Sequence, residues 1–380
     1  MPYQDGKYVA PTWSNNAPPP INASELQAIA DKCEDTWDKD ETISAETAAI
    51  YGLGEGYTPD QAFRAISTNF NKTINVTVTL DGAPVEGVTV TGIITEDGEP
   101  CVTNSEGKTS GVTGVDTVTI ATSTGCVDVN EASQIVETGG ALSTDATMNI
   151  TTKETAKLQY TTSTTIRFLS KTSVNYFIVG GGGSGAYWSH KSRDVSCAGG
   201  GGGYTKTGEI QNNKKDIVIQ IGSGGKANGG DGGTTTISCG ETSFSANGGK
   251  GGEHDSANDG TSVAGSDGGS GSGAADTYSW DPICGNPGSN GGNGGNANGT
   301  EGGIGQGTST TFDGIAYSTA GGSACYNADR RMGDTSGTGR INTNGISGKQ
   351  YGDGGGASVS TNGTSYSAGS GQQGCVWIYW

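Results

Sequence analysis

The sequence predicts a mainly β protein with a short helical N-terminal module, a β-sandwich in the middle, and a C-terminal domain of packed polyglycine II helices closed by β-strands. Three observations lead to this fold class. Of the 380 residues only 31% are hydrophobic, too few for one large apolar core. Of the 70 glycines, 14 lie in residues 1–179 and 56 lie in residues 180–380. Alternating apolar and polar residues at 74–80 predict a half-buried strand.

Residues 1–70 combine an irregular leader with short amphipathic segments. Pro18, Pro19 and Pro20 require an extended chain. Residues 24–27 (SELQ) have the form of a capping box, and residues 58–61 (TPDQ) repeat it with proline at the first helical position. Short helices are marginal by themselves. We therefore expect this region to be a docking module that packs against something larger.

Residues 72–152 contain short strands separated by turn signals. Ile74, Val76, Val78 and Leu80 alternate with polar residues, and Asp81-Gly82 follows as a turn signal. The apolar pattern continues at Val85, Val88, Val90, Ile93, Val115, Val118, Ile120 and Val127. Short strands with turns about every 8–12 residues predict a β-sandwich.

This middle region resembles the carboxypeptidase-regulatory-like sandwich, which has an Ig-like fold. The likeness lies in residues 82–90 (GAPVEGVTV) and 103–108 (TNSEGK). The resemblance implies a spacer or an adhesive module rather than an enzyme.

Residues 156–380 hold most of the glycine, which loses more conformational entropy on folding than any other residue. A flexible linker is one interpretation, but a linker does not explain the strand-like runs at 165–169, 174–179, 216–221, 234–237 and 375–380. No run keeps a collagen register, a calcium β-roll repeat or a phosphate-binding loop. Extended glycine helices remain, with three residues per turn and backbone bonds to their neighbours.

The order of these runs resembles the glycine-rich domain of bacteriophage tail-fibre proteins. The matching features are residues 180–183 (GGGG), 199–208 (GGGGGYTKTG), 221–225 (IGSGG), 246–252 (ANGGKGG) and a final strand ending in Trp380. Residues 11–14 (PTWS) and 21–27 (INASELQ) are similar to the N-termini of tail-fibre proteins in prophages of Gram-positive bacteria. The glycine domain also resembles the tip adhesins of T-even-like phages.

The resemblance implies a receptor-binding protein, an adhesin, that joins other tail or baseplate proteins through residues 1–70. Loops between polyglycine helices would recognise a bacterial surface receptor, either a glycan or an outer protein. The expected location is the virion, after assembly in the cytoplasm of the bacterial host. Phage fibres are commonly trimeric while polyglycine tip domains can be single chains, so a monomer and a homotrimer both remain open.

Four inserts interrupt the glycine pattern and carry side chains suited to recognition. Aromatic rings stack on sugars, Asp, Asn and Arg bind hydroxyls or anions, and Tyr, Trp and Arg dominate binding hot spots. The candidate receptor-binding residues are Tyr187, Trp188, His190 and Arg193 in the first insert, His254 and Asp255 in the second, Tyr278, Trp280 and Asp281 in the third, and Tyr326, Asp329, Arg330, Arg331 and Arg340 in the fourth. In the alternative interpretation, the two tryptophans cover the glycine stack and bind nothing.

Composition argues against several other classes of protein. The net charge is −18 with no basic run, so we expect no nucleic-acid binding. No apolar stretch approaches the ~20 residues of a membrane span, and the N-terminus has no signal-peptide pattern. Two histidines and scattered acidic residues form no recognisable metal or catalytic cluster. We therefore expect no cofactor, no metal ion and no enzymatic activity.

The eight cysteines form no CxxC pair, so a zinc site is not expected and buried free thiols are the simplest interpretation. Cys101 and Cys126 are the exception, because they could face each other in the middle domain.

Two alternatives to the adhesin remain: a structural glycine-rich protein of a cell surface or matrix, and an ice-binding polyglycine stack. The absent signal-peptide pattern argues against the first alternative. The irregular inserts argue against the flat, repetitive face of the second.

Overall fold

The computed structural model describes residues 3–4, 7–8, 72–95, 97–113, 117–137, 144–189, 195–254, 263, 265–272, 311–326 and 340–380. Within these ranges the chain forms β-strands and irregular segments and contains no helix, which confirms the mainly β class. Strands β1 (Tyr3–Gln4) and β2 (Lys7–Tyr8) pair antiparallel. The helices predicted between residues 1 and 70 lie outside the described residues.

The chain divides into two compact units. The first is Met1–Thr124 with Val129–Thr152, and the second is Gly125–Asp128 with Lys153–Trp380. Most of the glycine therefore lies in the second unit, together with a four-residue segment that the sequence places among the strands of the first.

The first unit contains a nine-stranded sheet of mixed pairing. Its strands are β3 (Lys72–Leu80), β4 (Ala83–Pro84), β5 (Thr89–Ile94), β6 (Pro100–Val102), β7 (Lys108–Thr113), β8 (Thr117–Ser123), β9 (Val129–Asn130), β10 (Ser133–Glu137) and β11 (Thr144–Thr152). The order is β10-β8-β5-β7-β3-β11-β9, with β4 beside β3 and β6 beside β5. Strands β3 and β11 run parallel, and the other pairs of this sheet are antiparallel.

The alternation in β3 acts as the sequence predicts. Ile74, Val76 and Val78 are buried while Asn75 is exposed. The following turn has φ of 51° at Asp81 and 86° at Gly82, as a two-residue type I′ hairpin requires.

The disulfide left open between Cys101 and Cys126 is not formed. Cys101 is a buried free thiol whose Sγ–H donates to the carbonyl of Ser110 at 3.4 Å. Cys126 belongs to the second unit, so the expectation that both cysteines share the middle domain is wrong. The sequence interval between them carries no signal of this division.

The second unit contains two four-stranded sheets. The first, β12-β26-β14-β17, consists of β12 (Lys157–Tyr160), β14 (Ser173–Val179), β17 (Thr205–Gln211) and β26 (Cys375–Tyr379). The second, β13-β18-β19-β20, consists of β13 (Thr164–Ile166), β18 (Ile217–Gln220), β19 (Thr235–Cys239) and β20 (Thr242–Ala246). The shorter strands are β15 (Tyr187–Ser189), β16 (Val195–Cys197), β21 (Thr311–Phe312), β22 (Ile315–Ala316), β23 (Ala324–Tyr326), β24 (Arg340–Ile341) and β25 (Ser358–Ser360).

Side chains from both four-stranded sheets form one hydrophobic cluster. Val174, Tyr176 and Ile178 of β14 enter it together with isoleucines of β17, β18, β19 and β26. The alternate residues of β14, Phe177 and Val179, belong to a second cluster with Tyr317 and Cys375. Strand β14 is therefore buried on both faces, and β26 closes the sheet between β12 and β14 as its apolar sequence predicts.

Beyond β14 the chain continues as residues 180–186, which lie at the centre of a bundle of glycine segments (the glycine bundle). Successive N–H groups donate in turn to three different segments at 2.8–3.0 Å. The donor–acceptor pairs are Gly180–Tyr204, Gly183–Gly201 and Ala186–Ala198; Gly181–Gly233 and Ser184–Gly230; and Gly182–Gln372 and Gly185–Gly369. The bonding pattern therefore repeats every three residues.

The carbonyl groups of the same residues accept from three further segments. The donor–acceptor pairs are Gly249–Gly181 and Gly252–Ser184; Gly225–Gly182 and Gly229–Gly185; and Gly355–Gly183 and Ser358–Ala186. The central segment thus has six bonded neighbours. All seven of its residues are buried, each of their N–H groups donates to a backbone carbonyl, and the carbonyls of residues 181–186 accept from backbone N–H groups.

The close approach of these segments requires the absence of Cβ atoms. A Cβ on Gly183 would overlap the carbonyl oxygen of Lys250, and a Cβ on Gly200 would overlap that of Gly183. The same oxygens lie along the Cα–H bonds that replace Cβ, where weak C–H···O contacts form. The glycine content therefore reflects a core made of backbone.

Candidate functional site

The glycine bundle brings five short strands to one of its ends. Residues 180–186 continue into β15, and the neighbouring segment 352–357 continues into β25. Strands β15, β25 and β24 form a parallel sheet in which Trp188 is opposite Val359, and Arg340 is opposite Ser358. Strands β16 and β23 pair antiparallel beside it. We call these five strands and His254 the cap.

A small apolar cluster lies under the cap. It consists of Ala186, Cys197, Ala324, Ala357 and Val359, all buried, and the half-buried Trp188 packs against it. Small side chains fit here because the glycine segments hold the strands close together. Packing against this cluster holds the indole of Trp188 in place.

The indole of Trp188 also stacks on the imidazole of His254. The ring centroids are 4.3 Å apart and the planes differ by 16°. His254 is exposed, and its backbone forms an isolated bridge with Cys197 of β16. Trp188 therefore has a packing role and also forms an aromatic pair with the exposed His254, while receptor binding by Trp188 stays a prediction.

Two further predicted residues belong to the cap. The hydroxyl of Tyr187 donates to the carbonyl of Thr364 at 3.3 Å, and the side chain is half-buried. Arg340 opens β24 and is also half-buried. Tyr326 ends β23, where its backbone is paired with Val195.

The sequence places these residues in loops, but the structure places Tyr187, Trp188, Tyr326 and Arg340 in short strands. The reason is that the bundle holds two glycine segments at bonding distance, and their continuations go on pairing beyond the last glycine. The loop expectation is wrong at these four positions. The remaining predicted residues, His190, Arg193, Asp255, Tyr278, Trp280, Asp281, Asp329, Arg330 and Arg331, lie outside the described residues.

The cap joins the ends of three inserts. Residues 190–194 link β15 to β16, residues 327–339 link β23 to β24, and the second insert contains His254 and continues beyond it. The third insert lies outside the described residues, and the next described strand, β21, is not in the cap: its Phe312 stacks on Phe177.

One segment beside the cap, residues 361–366 (TNGTSY), was not predicted from the sequence. Asn362 Nδ2 donates to the Tyr366 hydroxyl at 3.1 Å, and Thr361 N donates to Asn342 Oδ1 at 2.8 Å. Asn362 and Thr364 are exposed. The available signal was the same as for the other inserts, a polar stretch with a tyrosine between glycine segments.

The described part of the cap offers an indole, an imidazole, a phenol, a guanidinium group and exposed amide and hydroxyl groups, and it contains no Asp or Glu. Across the described residues no group of three or more His, Cys, Asp or Glu side chains could hold a metal ion. None of the described segments is a helix long and apolar enough to span a membrane. These groups are suited to recognition through stacking and hydrogen bonds.

Residues 155–380 match the glycine-rich domain family, which covers more than half of the chain and includes the bundle, the cap and both four-stranded sheets. The chain belongs to this family. No curated protein matches the chain. The glycine-rich domain thus begins close to β12, and the Gly125–Asp128 segment of the second unit lies before it in the sequence.

Proposed function

We propose that this protein is a phage or prophage tail-fibre receptor-binding protein whose glycine-rich domain recognises a bacterial surface receptor through the cap and its inserts. The observation that supports it most is the meeting of three insert ends around the Trp188–His254 pair. Tyrosine, tryptophan and arginine are the side chains most enriched in binding hot spots, and the cap contains all three.

The construction of the bundle favours a role in recognition. Its segments are bonded through backbone groups, so the inserts can change in sequence without a change in the core. A rigid scaffold with variable loops is a common arrangement in binding proteins. Binding rather than catalysis is the role we propose for the cap.

The rest of the chain has a place in the same proposal. Residues 1–70, with the predicted short helices, would join other tail or baseplate proteins. Residues 72–152, as an Ig-like sandwich of the carboxypeptidase-regulatory-like kind, would act as a spacer. The protein would be assembled in the host cytoplasm and would function in the virion as a monomer or a homotrimer. The core of its glycine-rich domain would consist of polyglycine II helices.

The test is binding of the fluorescently labelled full chain to a broad panel of bacterial strains, measured by flow cytometry. We expect saturable binding to a narrow set of strains. Replacing residues 190–194 by glycine and serine, or making Trp188→Ala, should weaken this binding about tenfold or more. The matched control is Lys214→Gly. Like the replacement of residues 190–194, this variant lowers the net charge by one. Lys214 lies in the turn between β17 and β18 and has a φ of 60°.

Folded wild-type protein that binds no strain would refute the adhesin proposal and favour a structural glycine-rich protein. Binding that survives both cap variants would place recognition outside the cap. An effect of Lys214→Gly equal to that of the insert replacement would mean that charge, not the insert, determines attachment.

A further inference from the structure

A shallow groove of about 330 Å³ lies on the flank of the glycine bundle and is lined by none of the cap residues. Two glycines, Gly232 and Gly248, are among the residues that line it. The polar and aromatic side chains that line it are Tyr204, Asp231, Thr234, Asn247, Lys250 and Asp267.

Backbone and side-chain bonds hold these groups in place. Lys250 Nζ donates to Asp231 Oδ2 at 2.8 Å, and Gly251 N donates to Asp231 Oδ1 at 2.8 Å. Lys250 N donates to the carbonyl of Asp267 at 2.8 Å. The Lys250 and Asp231 side chains are nevertheless 65% and 54% exposed. The groove thus presents positioned polar groups to solvent, which lowers the ordering cost of binding.

Tyr204 supplies the aromatic wall. It is half-buried and packs against the hydrophobic cluster of the two four-stranded sheets. Burial raises the pKa of its phenol, Asp267 raises it further, and Lys250 acts in the opposite direction. The phenol therefore stays protonated at neutral pH and keeps a proton that it can donate to a ligand.

Charge and size limit what the groove can hold. Two carboxylates face one ammonium group, so the net charge of −1 disfavours an anion, and the ammonium group disfavours a metal ion. The lining is too polar for an apolar ligand. The volume is at the lower end of the ~300–1,000 Å³ range of small-molecule sites.

We infer that this groove binds a neutral saccharide residue, as a second binding site on the flank of the glycine-rich domain. The Tyr204 ring would cover the C–H face of the sugar. Asp231 and Asp267 would accept hydrogen bonds from adjacent hydroxyls, and Asn247, Lys250 and the phenol would donate to ring and hydroxyl oxygens. The inference depends on these residues alone and holds whether or not the cap binds a receptor.

The experiment is saturation-transfer NMR on the full chain with free glucose, galactose, rhamnose and N-acetylglucosamine, followed by titration. We expect at least one of these neutral sugars to bind with a millimolar dissociation constant, and the anionic glucuronate to bind about tenfold more weakly because of the charge. Two substitutions keep the size of the side chain: Tyr204→Phe removes the hydroxyl, and Asp267→Asn replaces one charged acceptor oxygen by an amide donor. Each should weaken binding about tenfold.

Two control variants make the test specific. Asp216→Asn removes an exposed carboxylate that pairs with Arg167 and does not line the groove, and Trp188→Ala alters the cap. Both should leave sugar binding unchanged. If no sugar of the panel binds, or if the binding survives Asp267→Asn and Tyr204→Phe in folded protein, the inference is wrong. Loss of cell attachment in Trp188→Ala with sugar binding intact would separate the two sites.

Discussion

Ile178 and Gly183 lie on one continuous segment of the glycine-rich domain and both are buried, but different atoms surround them. Ile178 is in β14 and contacts other side chains of the hydrophobic cluster. Gly183 is five residues further on, and its neighbours are the backbone groups of residues 201, 250 and 355. The first region excludes water with side chains, and the second does so with backbone alone.

This difference teaches how a chain with so little hydrophobic content folds. In the sheets, apolar side chains supply the driving force and can lose a methyl group at moderate cost. At the glycine positions of the bundle there is no side chain to shorten, and the spacing is set by N–H···O bonds that cannot lengthen without being lost. We therefore expect an added methyl group to destabilise the bundle strongly, and the removal of one to destabilise the sheets only moderately.

Gly183→Ala gives the largest expected effect. The added Cβ would overlap the Lys250 carbonyl oxygen, and neither segment can move without breaking its backbone bonds. We expect a loss of about 3 kcal/mol or more in the free energy of unfolding, or a failure to fold. The measurement is urea unfolding of the full chain, with tryptophan fluorescence as the signal.

Gly240→Ala is the control for this substitution. Gly240 has φ of 58° in the turn after β19, and a Cβ there would meet nothing within 4 Å. Only backbone strain of about 1–2 kcal/mol applies. Equal losses for the two variants would contradict the backbone-core interpretation.

Asp128→Asn tests how the loop before β14 is held, and it should have the second largest effect. The buried carboxylate accepts from Leu169 N, Ser170 N, Ser170 Oγ and Lys171 N at 2.7–2.9 Å. Burial by itself raises the pKa of Asp128, but these hydrogen bonds together outweigh it and hold the pKa below its usual value. We expect the substitution to cost about 2 kcal/mol at neutral pH.

The pH dependence provides a second readout for Asp128. Because its pKa is lower in the folded state, its contribution is present above the unfolded pKa of about 3.9 and is lost as the pH falls through the folded pKa. The acid loss of stability should therefore be shallower in Asp128→Asn than in wild type. Parallel acid profiles for the two proteins would count against this role.

Ile178→Val should have the third largest effect on the free energy of unfolding, and it is the counterpart of Gly183→Ala in the hydrophobic cluster. Removing one methyl group from a fully buried side chain should cost about 1 kcal/mol. The same urea unfolding experiment measures it. A cost above that of Gly183→Ala would reverse the comparison between the two regions.

Asp353 lies in the glycine bundle, and Asp353→Asn should have the smallest effect on the free energy of unfolding at neutral pH. Burial holds the pKa of Asp353 above its usual value, despite hydrogen bonds from the backbone of Gln350, Thr319 and Lys349. The folded state therefore binds the proton more tightly, and stability falls as the pH rises from about 3.9 through the folded pKa. The variant should lose this decline. Unfolding free energies at several pH values between 4 and 8 test it, and an unchanged slope would refute the assignment.

The sequence by itself determined the elements whose side chains carry a local pattern. The alternation in β3, the apolar run in β14, the turn at Asp81-Gly82 and the apolar end of the chain predicted strands that the structure contains. Counting glycine against apolar residues also indicated that part of the core must be made of backbone. These features are local, so a short stretch of sequence is enough to identify them.

Only the tertiary structure decided which glycine segments are neighbours. One glycine is like another, so nothing in the sequence pairs residue 183 with residues 201 and 355 rather than with other glycines. The cap and the flank groove both result from this pairing, which is why Asn362 and Asp267 were overlooked and why Tyr187 and Trp188 were assigned to a loop. Side chains specify their partners through shape and polarity, and where the side chains are absent, the geometry of the whole bundle makes the choice.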